Sequence, residues 1–278
     1  MVYFKVTLFL SLIFSQIQSY ANETDSACLN LISNNQCIEA LEVCTVDAEQ
    51  GDPKAQTALS MMLSGINHGD FRKNYKQSFY WVKQAAEQGY SKAELAIAEM
   101  YMNGVVIPMN AKKAKVWYEK AAAEDNLDGI NGLARLYRYG TGVRKDYEQA
   151  FQYYQQAALE GHTRSQVGLG LSYRDAKGVK KNMVKAYAWL LIAAEKIDKQ
   201  RLRAIEKHYK DERENLDQTI PQCKYLSRLD QMSETMTIGY AKKMLLDLKQ
   251  RMSIKQINKA KKLALEIKKE RAFTRSVL

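Results

Sequence analysis

Three histidines, four cysteines and a few clustered arginines are the side chains of this sequence best suited to chemistry. His68, His162 and His208 are scattered, and none has a cysteine or a second histidine at metal-ligand spacing, so neither a metal site nor a cofactor is expected. His162 falls where a helix starts, at a variable position expected to be exposed. No HExxH, CxxC, GxSxG or phosphate-binding glycine loop occurs, which leaves catalysis without a constellation to carry it. Cys28, Cys37, Cys44 and Cys223 would tend to pair in an oxidising compartment, and four cysteines allow three pairings. If 36–50 is one helix, Cys37 and Cys44 lie about 10 Å apart along its axis, beyond the roughly 7 Å that a disulfide spans between α-carbons. Cys28 is then expected to pair with one of them. The other reaches Cys223 only if the C-terminal helices fold back, and otherwise stays a buried thiol or links two chains.

Charge narrows the classes further. The chain carries a net charge of +11, yet residues 1–194 hold 21 basic and 19 acidic side chains, so most of the excess lies in 195–278. An apolar share of 46% is ordinary for a globular core. The N-terminus has Lys5, an apolar run over 6–14, and small residues at Ser19 and Ala21. That pattern predicts a secretory signal cleaved after Ala21, since the run is shorter than the ~20 residues needed to span a bilayer.

The elements that must position these side chains are set by a repeat. Trp81, Trp117, Tyr153 and Trp189 recur every 36 residues, each followed four positions later by an alanine pair: Ala85 and Ala86, Ala121 and Ala122, Ala157 and Ala158, Ala193 and Ala194. A period held this strictly marks a repeat array. In the first helix of each repeat, Ala55, Ala93, Gly129 and Ser165 form a small column, Leu59, Ile97, Leu133 and Leu169 an aliphatic one. Ser60, Ala98, Ala134 and Gly170 are small again, and Leu63, Tyr101, Tyr137 and Tyr173 are large. The offsets put all four columns on one helical face. Phe71, Ile107, Val143 and Val179 tack down the loops. Asn74, Asn110, Asp146 and Asn182 then precede each second helix as N-caps worth about 1 kcal/mol apiece. With no strand signal in the array, the fold class is all-α.

Leu133-Ala134-Arg135-Leu136-Tyr137, Gly140-Thr141-Gly142-Val143 and Trp117-Tyr118-Glu119-Lys120-Ala121-Ala122 resemble the Sel1-like repeat, a relative of the tetratricopeptide repeat. The resemblance implies a right-handed α-solenoid of four helix-turn-helix repeats at 51–88, 89–124, 125–160 and 161–196. The first departs from the pattern, with a loop two residues longer and Leu63 for the usual tyrosine. The segment 22–50 ends in a half-repeat cap, because Ala48-Glu49-Gln50-Gly51 reproduces Ala86-Glu87-Gln88-Gly89. Residues 197–278 form a basic helical cap, with a polar helix over 198–218 and two more near 235–250 and 254–271. Ser253 and Gln256 open the last in capping-box spacing.

In this family the first helices line the concave surface. The resemblance therefore implies that two columns free of packing duty, represented by Glu99, Arg135 and Leu171 and by Met102, Arg138 and Arg174, face a partner there. Arg135, Arg138 and Arg174 would form a basic patch, against the simpler reading of a solvated face. The aromatic ladder is read as packing between repeats rather than a sugar platform. One subfamily, the cysteine-rich helicobacter proteins, is described as penicillin-binding or β-lactamase-like. This chain lacks both that subfamily's cysteine pairs and any SxxK nucleophile, so an envelope enzyme is the alternative and not the preference. The basic C-terminal helix could lie on an anionic membrane, but capping a core is preferred, and no nucleic-acid partner is expected. The expected protein is a non-enzymatic, periplasmic or secreted bacterial scaffold that binds a protein partner on its concave face.

Overall fold

The computed structural model describes residues 27–34, 36–64, 74–104, 106–195 and 229–277, all in helices and short connections with no strand among them. The expected signal sequence, Phe71 and its loop with His68, the helix expected over 198–218 with His208, and Cys223 lie outside the described residues. The helices are α1 (Ala27–Ser33), α2 (Cys37–Glu49), α3 (Pro53–Leu63), α4 (Tyr75–Glu87), α5 (Ser91–Asn103), α6 (Ala111–Ala123), α7 (Leu127–Tyr139), α8 (Tyr147–Leu159), α9 (Thr163–Asp175), α10 (Met183–Ala194), α11 (Leu229–Arg251) and α12 (Ile254–Val277). From α3 to α10 they form four antiparallel pairs stacked into a right-handed solenoid.

Each second helix begins where its N-cap says it should. Asn74 accepts from the Gln77 amide, Asn110 from Lys113, Asp146 from Glu148 and Gln149, and Asn182 from Lys185, at 2.9 to 3.1 Å. Those bonds satisfy amides that no intrahelical carbonyl can reach. The small and aliphatic columns are buried throughout, so neighbouring helices approach closely along the axis of the stack. In the first repeat the two small positions are serines, Ser60 and Ser78. Their hydroxyls lie 3.1 Å apart, and Ser78 donates to the Ser60 carbonyl at 2.8 Å.

The ladder packs between repeats as expected, but from the flank of the interface rather than its centre. Trp81, Trp117 and Tyr153 are only half-buried, and Lys120 Nζ sits 4.1 Å above the Trp117 ring. The spine is the next residue along: Val82, Tyr118, Tyr154 and Leu190 are all buried. One position of offset rotates a helical side chain by about 100°, enough to move it from the flank of the interface into its centre. The ladder still seals the seams, since Trp117 touches two adjacent clusters and Tyr153 stacks on Tyr137 at 5.9 Å. Only Trp189 is fully covered, because α11 and α12 lie against α10.

Both ends are closed. At the N-terminus the half-repeat α2 is joined by α1, a short helix the sequence pattern did not announce, and a disulfide from Cys28 to Cys44 pins the two together. Cys37 is disulfide-bonded too. At the C-terminus Ala260 and Ala264 of α12 are buried, with Ile257, Leu263 and Ile267 packed on the last repeat, while Lys255, Lys259, Lys262 and Lys269 stay exposed. The capping box forms as expected, Gln256 accepting from the Ser253 amide at 2.9 Å and donating its own to Ser253 Oγ at 3.3 Å. No described helix is long and apolar enough to cross a membrane.

Candidate partner-binding cleft

The first helices carry the free columns, and their packing on the second helices decides which of those side chains stay available. Tyr118 on α6 is buried with its hydroxyl turned toward α5, where it donates to Glu99 at 2.6 Å. Burial, then the neighbouring Glu99 carboxylate, pushes that hydroxyl's pKa far above the ordinary tyrosine value. Arg135 of α7 approaches the same carboxylate at 3.9 Å and remains exposed. One repeat on, Tyr154 is buried in the matching place, and burial pushes its hydroxyl up to about 12. The charge of Arg138 nearby opposes that rise, and no carboxylate among the described residues lies within ion-pair distance of Arg138.

These arginines line a cleft of about 490 Å³. Arg135, Arg138 and Tyr139 of α7 form one side, Val167, Gly168 and Leu171 of α9 the floor, and Met236, Thr237 and Tyr240 of α11 the other side. Arg164, which the repeat columns did not flag, also lines it and donates to Asp128 at 2.8 Å. Tyr139, Met236 and Tyr240 are left 65%, 74% and 45% exposed at the opening. Tyr, Met and Arg are the residue types that recur in the anchoring centres of protein interfaces.

The six residues expected on the concave face divide. Arg135, Arg138 and Leu171 line the cleft, with Leu171 9% exposed in its floor. Glu99 stands beside it as the partner of Tyr118 and Arg135, while Met102 packs half-buried against the cluster around Leu133. Arg174 leaves the patch. Its guanidinium grips Asp175 at 2.6 and 3.0 Å and reaches Met244 Sδ of α11 at 2.9 Å, holding the Asp175 carboxyl below the usual range. The arrival of α11 redirects this arginine, and no repeat column could announce it.

His162 also differs from the exposed position expected of it: its side chain is 14% exposed. Nδ1 is hydrogen-bonded to Ser165 Oγ at 2.9 Å and Nε2 to Asp128 Oδ1 at 3.0 Å, so the imidazole bridges the third and fourth repeats. The hydrogen bond from His162, aided by the charges of His162 and Arg164, lowers the Asp128 pKa. Serine, histidine and aspartate in a bonded chain are the groups of a hydrolase triad. Here Ser165 is fully buried and its Oγ already accepts from Asn131 Nδ2 at 2.9 Å, so a substrate carbonyl has no approach to it. The chain works as a joint between repeats. Among the described residues no group of His, Cys, Asp and Glu side chains could hold a metal ion.

The Sel1 repeat family matches residues 53–90, 91–126, 127–162 and 163–198, more than half of the chain. This chain is a Sel1 repeat protein. Among solved structures it resembles c5321, described as a protective antigen present in uropathogenic Escherichia coli strains displaying an SLR fold. That match has 31% identity and a TM-score of 0.53 over 62% of this chain and 36% of that one. A Sel1 repeat protein from Oxalobacter formigenes is 28% identical with a TM-score of 0.51, over 61% of this chain and 49% of that one. This Sel1 repeat protein thus spans less than half the length of either. No curated protein sequence matches it. Sel1 repeat proteins mediate protein–protein interaction, and a Sel1 stack tied by Cys28–Cys44 suits an oxidising compartment.

Proposed function

We propose that this Sel1 repeat protein is a non-enzymatic scaffold of the bacterial envelope or secreted space that holds a protein partner on its concave face. The observation that carries the reading is the cleft itself, where Arg135 and Arg138 stand beside the exposed side chains of Tyr139, Met236 and Tyr240. A rigid stack presents these groups preorganised, so little side-chain or loop ordering opposes binding. Export is supported by the Cys28–Cys44 disulfide and by the signal-like start of the sequence. With the partition 51–88, 89–124, 125–160 and 161–196, recognition falls to the third and fourth repeats together with α11 of the 197–278 segment, which also closes the stack.

In-cell crosslinking from a photoreactive side chain placed at Tyr139 tests this reading. A discrete protein adduct is expected, and it should disappear when Arg135 and Arg138 are both changed to Glu while thermal stability is unchanged. Persistence of the adduct in that double variant would remove the concave face from the function.

A further inference from the structure

The two sides of the cleft differ in chemistry, and the difference specifies a ligand. The α7 side is cationic: Arg135 is exposed and lies 3.9 Å from Glu99, and Arg138 lines the cleft with no carboxylate among the described residues within ion-pair distance. Across the floor, the α11 side offers Met236 and Tyr240, both well exposed. Arg135 and Arg138 are three positions apart on one helix, so their side chains start about 5–6 Å from one another. In an extended peptide, side chains alternate between opposite faces, and those on one face recur every ~6.6 Å. A two-sided cleft of this kind accepts an extended segment with carboxylates on one face and apolar side chains on the other.

We propose, resting on the scaffold reading above, that the cleft takes an extended partner segment in which acidic and apolar residues alternate, its carboxylates on Arg135 and Arg138 and its apolar side chains on Met236 and Tyr240. The C-terminal helix α11 is then a specificity-determining side of the site as well as a cap on the core. A uniformly acidic segment would leave Met236 and Tyr240 uncovered, and an apolar one would desolvate two guanidiniums without compensation.

The test uses the full chain with fluorescently labelled, end-blocked peptides read by anisotropy. A peptide alternating Glu with Leu should bind, and increasingly weakly as salt rises. Its Gln–Leu counterpart should bind at least about tenfold more weakly. Arg135→Glu with Arg138→Glu and, separately, Met236→Ser with Tyr240→Ser should each weaken the Glu–Leu peptide by a similar factor. Arg135, Met236 and Tyr240 are exposed and Arg138 half-buried, and an unchanged thermal midpoint confirms that both variants fold. Equal binding of a peptide with the same composition in Glu and Leu blocks would overturn the alternating segment. So would indifference to the α11 pair, or displacement of the peptide at constant ionic strength by inorganic phosphate or by anionic lipid vesicles. If the peptide fails while the Tyr139 crosslink still depends on Arg135 and Arg138, the ligand class falls and the scaffold reading stands; loss of that dependence sinks the scaffold reading itself.

Discussion

Glu94 shows how much one atom matters in a repeat. Gln56 and Gln166 occupy its place in the first and fourth repeats, where each donates its amide to a carbonyl at the end of the preceding helix, Ala48 at 3.0 Å and Ala158 at 3.3 Å. Glu94 is as deeply buried, 4% exposed, and its Oε2 has no partner. A carboxylate cannot donate, so only the protonated form can imitate glutamine. Burial chiefly raises the Glu94 pKa, with Lys120 opposing and Glu124 assisting. A raised folded-state value means the folded protein holds this proton more tightly than the unfolded chain. The associated stability is full below the ordinary Glu value and is lost as pH rises through the raised one. Glu94→Gln should therefore stabilise the protein at neutral pH by about 1–3 kcal/mol, and the gain should shrink as pH falls toward about 4. Thermal melts of both proteins across that range check it; a pH-independent difference would show that the proton is irrelevant.

Between elements, the determining fit is a matching of sizes. A Cβ built on Gly132 would lie 2.5 Å from the Tyr118 ring, and one on Gly168 would lie 2.6 Å from Tyr154. Where the buried position of the preceding helix is Val82, the corresponding residue is Ala96, which packs in the same cluster. Large spine residues are thus met by glycine and the smaller one by alanine. Tyr118→Ala should cost about 3–5 kcal/mol by leaving a cavity beneath Gly132. Trp117→Ala, on the half-buried flank, should cost distinctly less. Urea unfolding of the two variants decides it, and a larger loss at Trp117 would restore the ladder as the spine.

At the scale of the whole molecule, a solenoid is held by nearest-neighbour contacts and depends on its ends. The N-terminal cap is the smaller end, with α1 only seven residues long, too short to be stable as an isolated helix. Cys28–Cys44 crosses a sequence separation of 16, which in the chain-entropy account stabilises the fold by about 3 kcal/mol. Replacing both cysteines with serine should lower stability by that amount, and hydrogen exchange should rise first in α1 to α3 while α9 and α10 stay protected. Uniform loss of protection would mean that the stack unfolds as one unit.

The repeat, its helix starts and its buried columns were legible in the sequence because they are local and periodic: an N-cap acts on amides two or three residues away, and a small column declares itself by recurring. The stacked helix pairs followed from that periodicity, while the solenoid and the placing of Arg135 and Arg138 on its concave face were implied by the resemblance to the Sel1-like repeat. What the sequence left open depends on contacts between residues distant along the chain. Cys28 could pair with either of two cysteines until α1 folded onto α2. Arg174 belonged to the free columns until α11 brought Met244 to it and left it gripping Asp175. His162 passed for a solvated helix start until the neighbouring repeat supplied Asp128. The apolar side of the cleft comes from α11, about 100 residues beyond α7 and outside the repeat, so no period could have placed Met236 and Tyr240 opposite Arg135 and Arg138.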